Sequence, residues 1–160
     1  MLLALLLAAT VRGPADVESL TAAADAVVHA QVTRRSSAWA PGGGQIFTTV
    51  VLRPIEIWKG DPAAEIVVLV PGGEVGELSQ TVQGAAAFEE NEEVVVFLRR
   101  RASGVFDVER LSLGKFAVTG KPGRALRDRR LVSCVGCGPS ERDELPLDEL
   151  RARVLARTRP

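Results

Sequence analysis

Cys134-Val135-Gly136-Cys137 is the sharpest chemical motif in a 160-residue sequence that holds two cysteines, one histidine and no tyrosine. Two thiols at this spacing can close a local disulfide, supply half of a metal site or cycle as a redox pair. A redox pair needs its first thiol activated at a helix N-terminus. Here Leu131-Val132-Ser133 reads as extended and Gly138-Pro139 as a turn. Zinc needs four ligands, and His29 is distant in sequence. The pattern favours a Cys134–Cys137 disulfide, with a metal or dimer site and a redox role as the alternatives.

Other polar clusters offer less. The run Glu89-Glu90-Asn91-Glu92-Glu93 lacks the Asp/Asn spacing and the glycine of a calcium loop. It is expected to be a solvated turn that guards the apolar stretch Val94–Leu98 against aggregation. His29 alternates with Val28 and Ala30, is expected to face solvent, and has no second histidine to share a nucleophile–base pair. Lys121, Arg124, Arg127, Arg129 and Arg130 could meet phosphates. That segment has no aromatic residue, and only 4% of the chain is aromatic, so nucleic-acid binding is not expected. Gly42-Gly43-Gly44 lacks the Lys-Ser/Thr of a phosphate loop. No catalytic residue, metal ligand or cofactor is assigned, and the expected protein is not an enzyme.

The elements that would position such groups read mostly as strands. Asp16 can cap a short helix on which Val17, Leu20 and Ala24 share a face. Ala26–Thr33 alternates as a half-buried strand. Gln45–Trp58 is a long β-rich run in which Pro54 implies an edge or a bulge. Glu65–Val70, Val94–Leu98, Val105–Leu113 and Lys115–Thr119 follow, separated by turns. Lys121–Arg130 reads as an Arg-rich connector. Pro146–Ala156 is a helix with Leu147, Leu150, Val154 and Leu155 on one face and charges placed to suit its dipole. Val28, Val32, Leu52, Ile57, Val94, Val96 and Leu98 are expected to line the core, with the C-terminal helix docked as an accessory.

Twenty basic and twenty acidic residues balance overall, yet residues 1–98 hold five basic against twelve acidic and residues 99–160 fifteen against eight. Such a dipolar chain can pair with itself on folding, which is favoured over a dedicated charged partner. With 46% hydrophobic and 25% charged residues the chain is neither disordered nor collagen-like, and its length suits one domain. Leu2–Ala9 is an apolar run too short for the roughly 20 residues of a membrane-spanning helix, and it fits the core of a secretory signal. The expected organisation is a signal peptide over 1–13, a barrel over 14–120, and the connector, CxxC segment and helix over 121–160. A secreted or periplasmic monomer without a stable membrane span is expected, with its cysteines oxidised.

Three segments in fixed order carry a resemblance: Ala24-Asp25-Ala26-Val27-Val28-His29-Ala30-Gln31-Val32, Ile55-Glu56-Ile57-Trp58-Lys59-Gly60, and Phe88 through Leu98. The chain resembles bacterial exported proteins whose strands are similar to the netrin-like module of tissue inhibitors of metalloproteinases. The resemblance covers about residues 24–119 and implies a mainly β, five- to six-stranded barrel of the oligonucleotide/oligosaccharide-binding type. Those inhibitors chelate a protease zinc through a mature N-terminal cysteine, and no cysteine stands near the expected cleavage site here.

The expected function is an exported, non-enzymatic binding module that meets a protein or peptide, such as an exported protease, through its loops. A metalloprotease-associated inhibitor or chaperone-like protein is the alternative, and a CxxC thiol-disulfide oxidoreductase the third. The candidate surface is the loop Pro71–Ala87, with Gly72, Gly73, Glu74, Val75, Glu77 and Leu78, because a loop of about seventeen residues is long for a compact domain. The competing expectation is that Val75, Leu78 and Val82 plug a barrel end.

Overall fold

A computed structural model describes residues 9–127, 132–135 and 143–159. In chain order the elements are β1 (Ala9–Arg12), α1 (Val17–Ala23), β2 (Ala26–Trp39), β3 (Ile46–Lys59), β4 (Ile66–Pro71), β5 (Gly73–Val75), β6 (Leu78–Gln80), β7 (Glu93–Arg100), β8 (Phe106–Val108), a 3-10 turn (Leu111–Gly114), β9 (Lys115–Thr119), β10 (Arg124–Arg127), β11 (Val132–Val135), β12 (Glu144–Pro146) and α2 (Leu147–Thr158). The expected signal segment, apart from its last residues, lies outside the described residues.

Strands β7, β2, β3, β4 and β8 lie side by side, and β8 pairs again with β7, closing five strands into a barrel. Neighbours in the ring are antiparallel except β4 and β8, which meet in parallel at Val68 and Phe106. The protein is therefore a mainly β barrel of the expected OB-like class. β9, β10 and β12 continue the sheet outward from β7. Pro54 sits where expected, at a register slip: His29 faces Glu56 while Ala30 faces Pro54, leaving Ile55 as the extra residue of a bulge.

Period-2 alternation fills two cores from one sheet. Inside the barrel pack Val28, Ala30, Val32, Val50, Leu52, Val94, Val96 and Leu98, with Phe88 and Phe106. The opposite faces of β2 and β7 present Val27, Val95 and Phe97 to a second cluster containing Trp58 and Phe116. Two helices cover it. α1 contributes Val17 and Leu20, capped by Asp16, whose carboxylate accepts the Ser19 N–H at 2.8 Å. α2 contributes Leu150 and Val154, with Leu147 and Leu155 packed at the margin. Because β7 is buried on both faces, it reads as the unbroken apolar run Val94–Leu98. Lys59 fastens α1 to the barrel by donating from Nζ to the carbonyls of Thr21 and Ala24, both at 2.6 Å.

Several expectations are corrected here. Ile57 is 43% exposed rather than a core residue. It lies between the Ile55 bulge and a second register slip opposite Val27 and Val28, and Trp58 takes the buried place in the second core. The C-terminal helix adds Leu150 and Val154 to a second core of thirteen buried residues, against fifteen in the barrel, which the expected single core did not foresee. The Lys121–Arg130 connector contains strand β10, paired with β9 and β12. The Val105–Leu113 strand stops at Val108, and the chain then turns through Arg110 and Leu111, both left-handed at φ 55° and 57°. Finally, β2 runs on to Trp39, six residues past its expected end.

Candidate functional site

The long loop closes one end of the barrel and leaves a space beside it. β5 and β6 form a small hairpin within it, so the loop has secondary structure that its composition did not announce. Ala86 and Phe88, 6% and 4% exposed, plug the barrel end. The expected plugs do not: Leu78 is 59% exposed, Val75 and Val82 are half-buried, and none belongs to the core.

Polar side chains of the β2–β3 hairpin tie the loop down. Thr48 Oγ1 donates to the Gly72 carbonyl at 2.7 Å, which leaves Ser37 Oγ to donate to Thr48 Oγ1 at 2.9 Å. Gln80 Oε1 accepts the Ile46 N–H at 2.6 Å, and the Gly72 N–H donates to the Ile46 carbonyl at 2.8 Å. Glycine is required at position 73, where φ is 140° and a Cβ would lie 2.4 Å from both Ser37 Oγ and Thr48 Oγ1. Between the tethered loop and β2 lies an open cleft of 520 Å³. Arg35, Ser36 and Ser37 form one wall, Ser79–Val82 another, and Ala85–Phe88 the base. Arg35 is steadied by Glu89, 3.2 Å from its guanidinium, and by Glu90 Oε1, which accepts its backbone N–H at 3.2 Å.

Of the candidate loop residues, Gly72, Gly73 and Glu74 line the cleft; Val75, Glu77 and Leu78 do not. Gln80 and Ala85–Ala87 fall within the expected Pro71–Ala87 loop without having been singled out, while Arg35–Ser37, Thr48 and Phe88 lie outside it and were missed. The Arg34–Trp39 extension carried a signal only in part, because Arg34-Arg35-Ser36-Ser37 has no apolar alternation to continue the strand pattern.

Glu89, Glu90 and Asn91 are exposed as expected, but Glu92, Glu93 and His29 are tied into the barrel end. His29 is 9% exposed, with Nε2 2.6 Å from Glu93 Oε1, and its ring centroid is 5.9 Å from that of Trp58. Glu92 pairs at 2.6 Å with Lys115, whose ammonium stands 5.0 Å over the Phe88 ring. The run thus fastens the barrel end. Among the described residues no three His, Cys, Asp or Glu side chains gather as a metal site, and no helix is long and apolar enough to cross a membrane. In the basic segment, Arg124 pairs with Glu144, and the Arg127 guanidinium lies 4.5 Å over the Phe116 ring. Arg129 and Arg130 lie outside the described residues. Cys134 sits in β11, paired in parallel with β1 opposite Val11. Cys137, and with it the disulfide, also lies outside the described residues.

An ionic link ties α2 to the barrel. Arg151 Nε lies 3.0 and 2.9 Å from the two Glu56 carboxylate oxygens, and the Trp58 indole donates to Glu56 at 2.9 Å. Arg151 first, then Trp58, holds the Glu56 carboxyl at about 2 instead of its ordinary 4.5. A carboxyl lowered on folding contributes stability that is complete above its unfolded value and is lost as the pH falls toward its folded one. Glu56→Gln should therefore lower the melting temperature near neutral pH, and its difference from wild type should vanish between about pH 4.5 and pH 2. A difference that persists unchanged at about pH 2 would rule this linkage out.

No protein-family model matches the chain, and a search of curated proteins finds no significant match.

Proposed function

We propose that the chain is an exported, non-enzymatic binding module that holds a segment of a partner protein or peptide in the cleft between the 72–88 loop and β2. The observation that carries this reading is the tethering of the loop. Hydrogen bonds from Thr48, Ile46 and Gln80 hold it in one place, yet the space beside it is left open. A loop serving only to connect β4 and β7 needs neither the fixed position nor the open space. The lining mixes hydroxyl and amide groups from Ser37, Thr48, Ser79, Gln80 and Thr81 with the methyl groups of Ala85–Ala87, a composition that suits a polypeptide. The resemblance to the netrin-like module supports partner binding over catalysis.

Ala87 lines the cleft and is exposed, so Ala87→Trp should fill the opening without disturbing the core. Immobilised wild-type chain is expected to retain from the native exported fraction a partner that the Ala87→Trp chain releases. Equal retention by both would place binding elsewhere.

Export and oxidation each make a separate prediction. Sequencing the N-terminus of the exported product should return a start within residues 10–14 rather than Met1. Alkylation under denaturing, non-reducing conditions should add no label to Cys134 or Cys137. Two labels would mean that the disulfide is absent.

A further inference from the structure

The long wall of the cleft is a strand edge, and its backbone chemistry limits what can lie against it. From Arg34 opposite Val51 to Trp39 opposite Ile46, β2 and β3 pair without a register slip. In such a ladder, alternate residues direct both N–H and C=O to the same edge. Two observations set the phase. The Arg35 N–H reaches away from β3 to Glu90. Ile46, opposite Trp39, gives its N–H to Gln80 and its carbonyl to Gly72, not to β2. Arg35, Ser37 and Trp39 therefore present their backbone groups on the outer edge, two residues and about 6.8 Å apart.

β7 covers this edge only as far as Gln31, opposite Glu93; Val32 then exchanges hydrogen bonds with Asn91 and Glu92. Beyond Arg35, none of the described residues takes up the outward N–H of Ser37 or Trp39.

We propose that an extended segment of another protein adds to this edge as a further strand, continuing the sheet where β7 leaves β2. The proposal rests on the reading of the cleft as a polypeptide site and specifies how the segment is held. Only another backbone supplies donors and acceptors at a two-residue repeat, so the main chain provides affinity and alternate side chains provide choice. Arg34 is exposed and meets no carboxylate among the described residues. The added strand accordingly carries an acidic residue at the position beside Arg34, as opposite charges do across strands.

Blocked nonapeptides enriched from a random phage-displayed library on the full-length chain are the probes. Each is resynthesised with single N-methyl amides. Strand addition predicts an alternating pattern, with losses of about tenfold or more at every second amide and little change between. A pattern without alternation overturns the proposal. Ser37→Pro removes an outward N–H at an edge position, where proline is tolerated. Because this substitution also removes the Ser37–Thr48 hydrogen bond, Ser37→Ala is its control: the proline variant should bind about tenfold more weakly than the alanine variant, and equal affinity of the two overturns the proposal. If the proline variant does not fold, the N-methyl scan decides alone. Arg34→Glu should turn the library's acidic preference basic, and an unchanged preference overturns the acidic assignment. Probes that Ala87→Trp abolishes but that show no alternation defeat strand addition and spare the polypeptide reading; probes indifferent to Ala87→Trp defeat both.

Discussion

A chain shortened by residues 140–160 is expected to lose cooperative unfolding, whereas Ile57→Ala should melt within a few degrees of wild type. The truncation removes Leu145, Leu150 and Val154, each at most 2% exposed, and uncovers Val27, Val95, Phe97 and Phe116 beneath them. Fully burying one such side chain is worth roughly 1.5–3 kcal/mol. Several lost together match or exceed the roughly 5–15 kcal/mol that holds a whole domain. At least three ion pairs disappear as well, Arg124 with Glu144, Arg151 with Glu56 and Arg153 with Glu18 at 2.6 Å, although exposed pairs contribute little. Ile57, at 43% exposure, loses only partial burial on truncation to Ala. Thermal melts of the two chains side by side decide the matter. A cooperative melt of the shortened chain would leave α2 an accessory.

Gly114→Ala is the point substitution expected to do most damage. A Cβ there would stand 2.0 Å from the Glu109 carbonyl oxygen and 3.0 Å from its carbon, both backbone. The backbone opposite has little freedom to retreat. Glu109 is 3% exposed, paired at 2.7 Å with Arg99, and its N–H donates to the Phe97 carbonyl. Arg110 and Leu111, next in the chain, already occupy the left-handed region. Overpacking against backbone should cost about 3 kcal/mol or more. Gly42→Ala is the control: its φ is 89°, with nothing within 4 Å of the added atom. Left-handed strain of about 1–2 kcal/mol is all that substitution should cost. Denaturant midpoints of the two variants should therefore separate widely, and similar midpoints would mean that the Glu109 turn yields.

How much of this was legible in the sequence depends on how local its cause is. The Asp16 cap, the Pro54 bulge, the apolar run of β7 and the face of α2 all follow from short-range patterns, and the structure has each of them. The second core was not legible. Val27, Val95 and Phe97 alternate with the barrel residues, but nothing in a period-2 pattern says whether the other face meets water or helices. His29 and Ile57 were misplaced for that reason and because the slips beside Ile57 change which side chains are covered. The cleft was legible only through the length of its loop. Gly72, Gly73 and Glu74 lie on it, but the β2 wall comes from a stretch some forty residues earlier. Its tethers, Ser37 to Thr48 and Gln80 to Ile46, join residues that no spacing rule connects.

The claim that the cleft binds polypeptide is tested most directly by backbone amide shifts of the full-length chain titrated with a library-selected peptide. The account predicts saturable changes concentrated at Arg35, Ser37, Gly73, Gln80 and Ala86, on both walls and the base of the cleft. Changes centred instead on the exposed Ile55 and Ile57 face of β3, with the cleft amides unmoved, would contradict it.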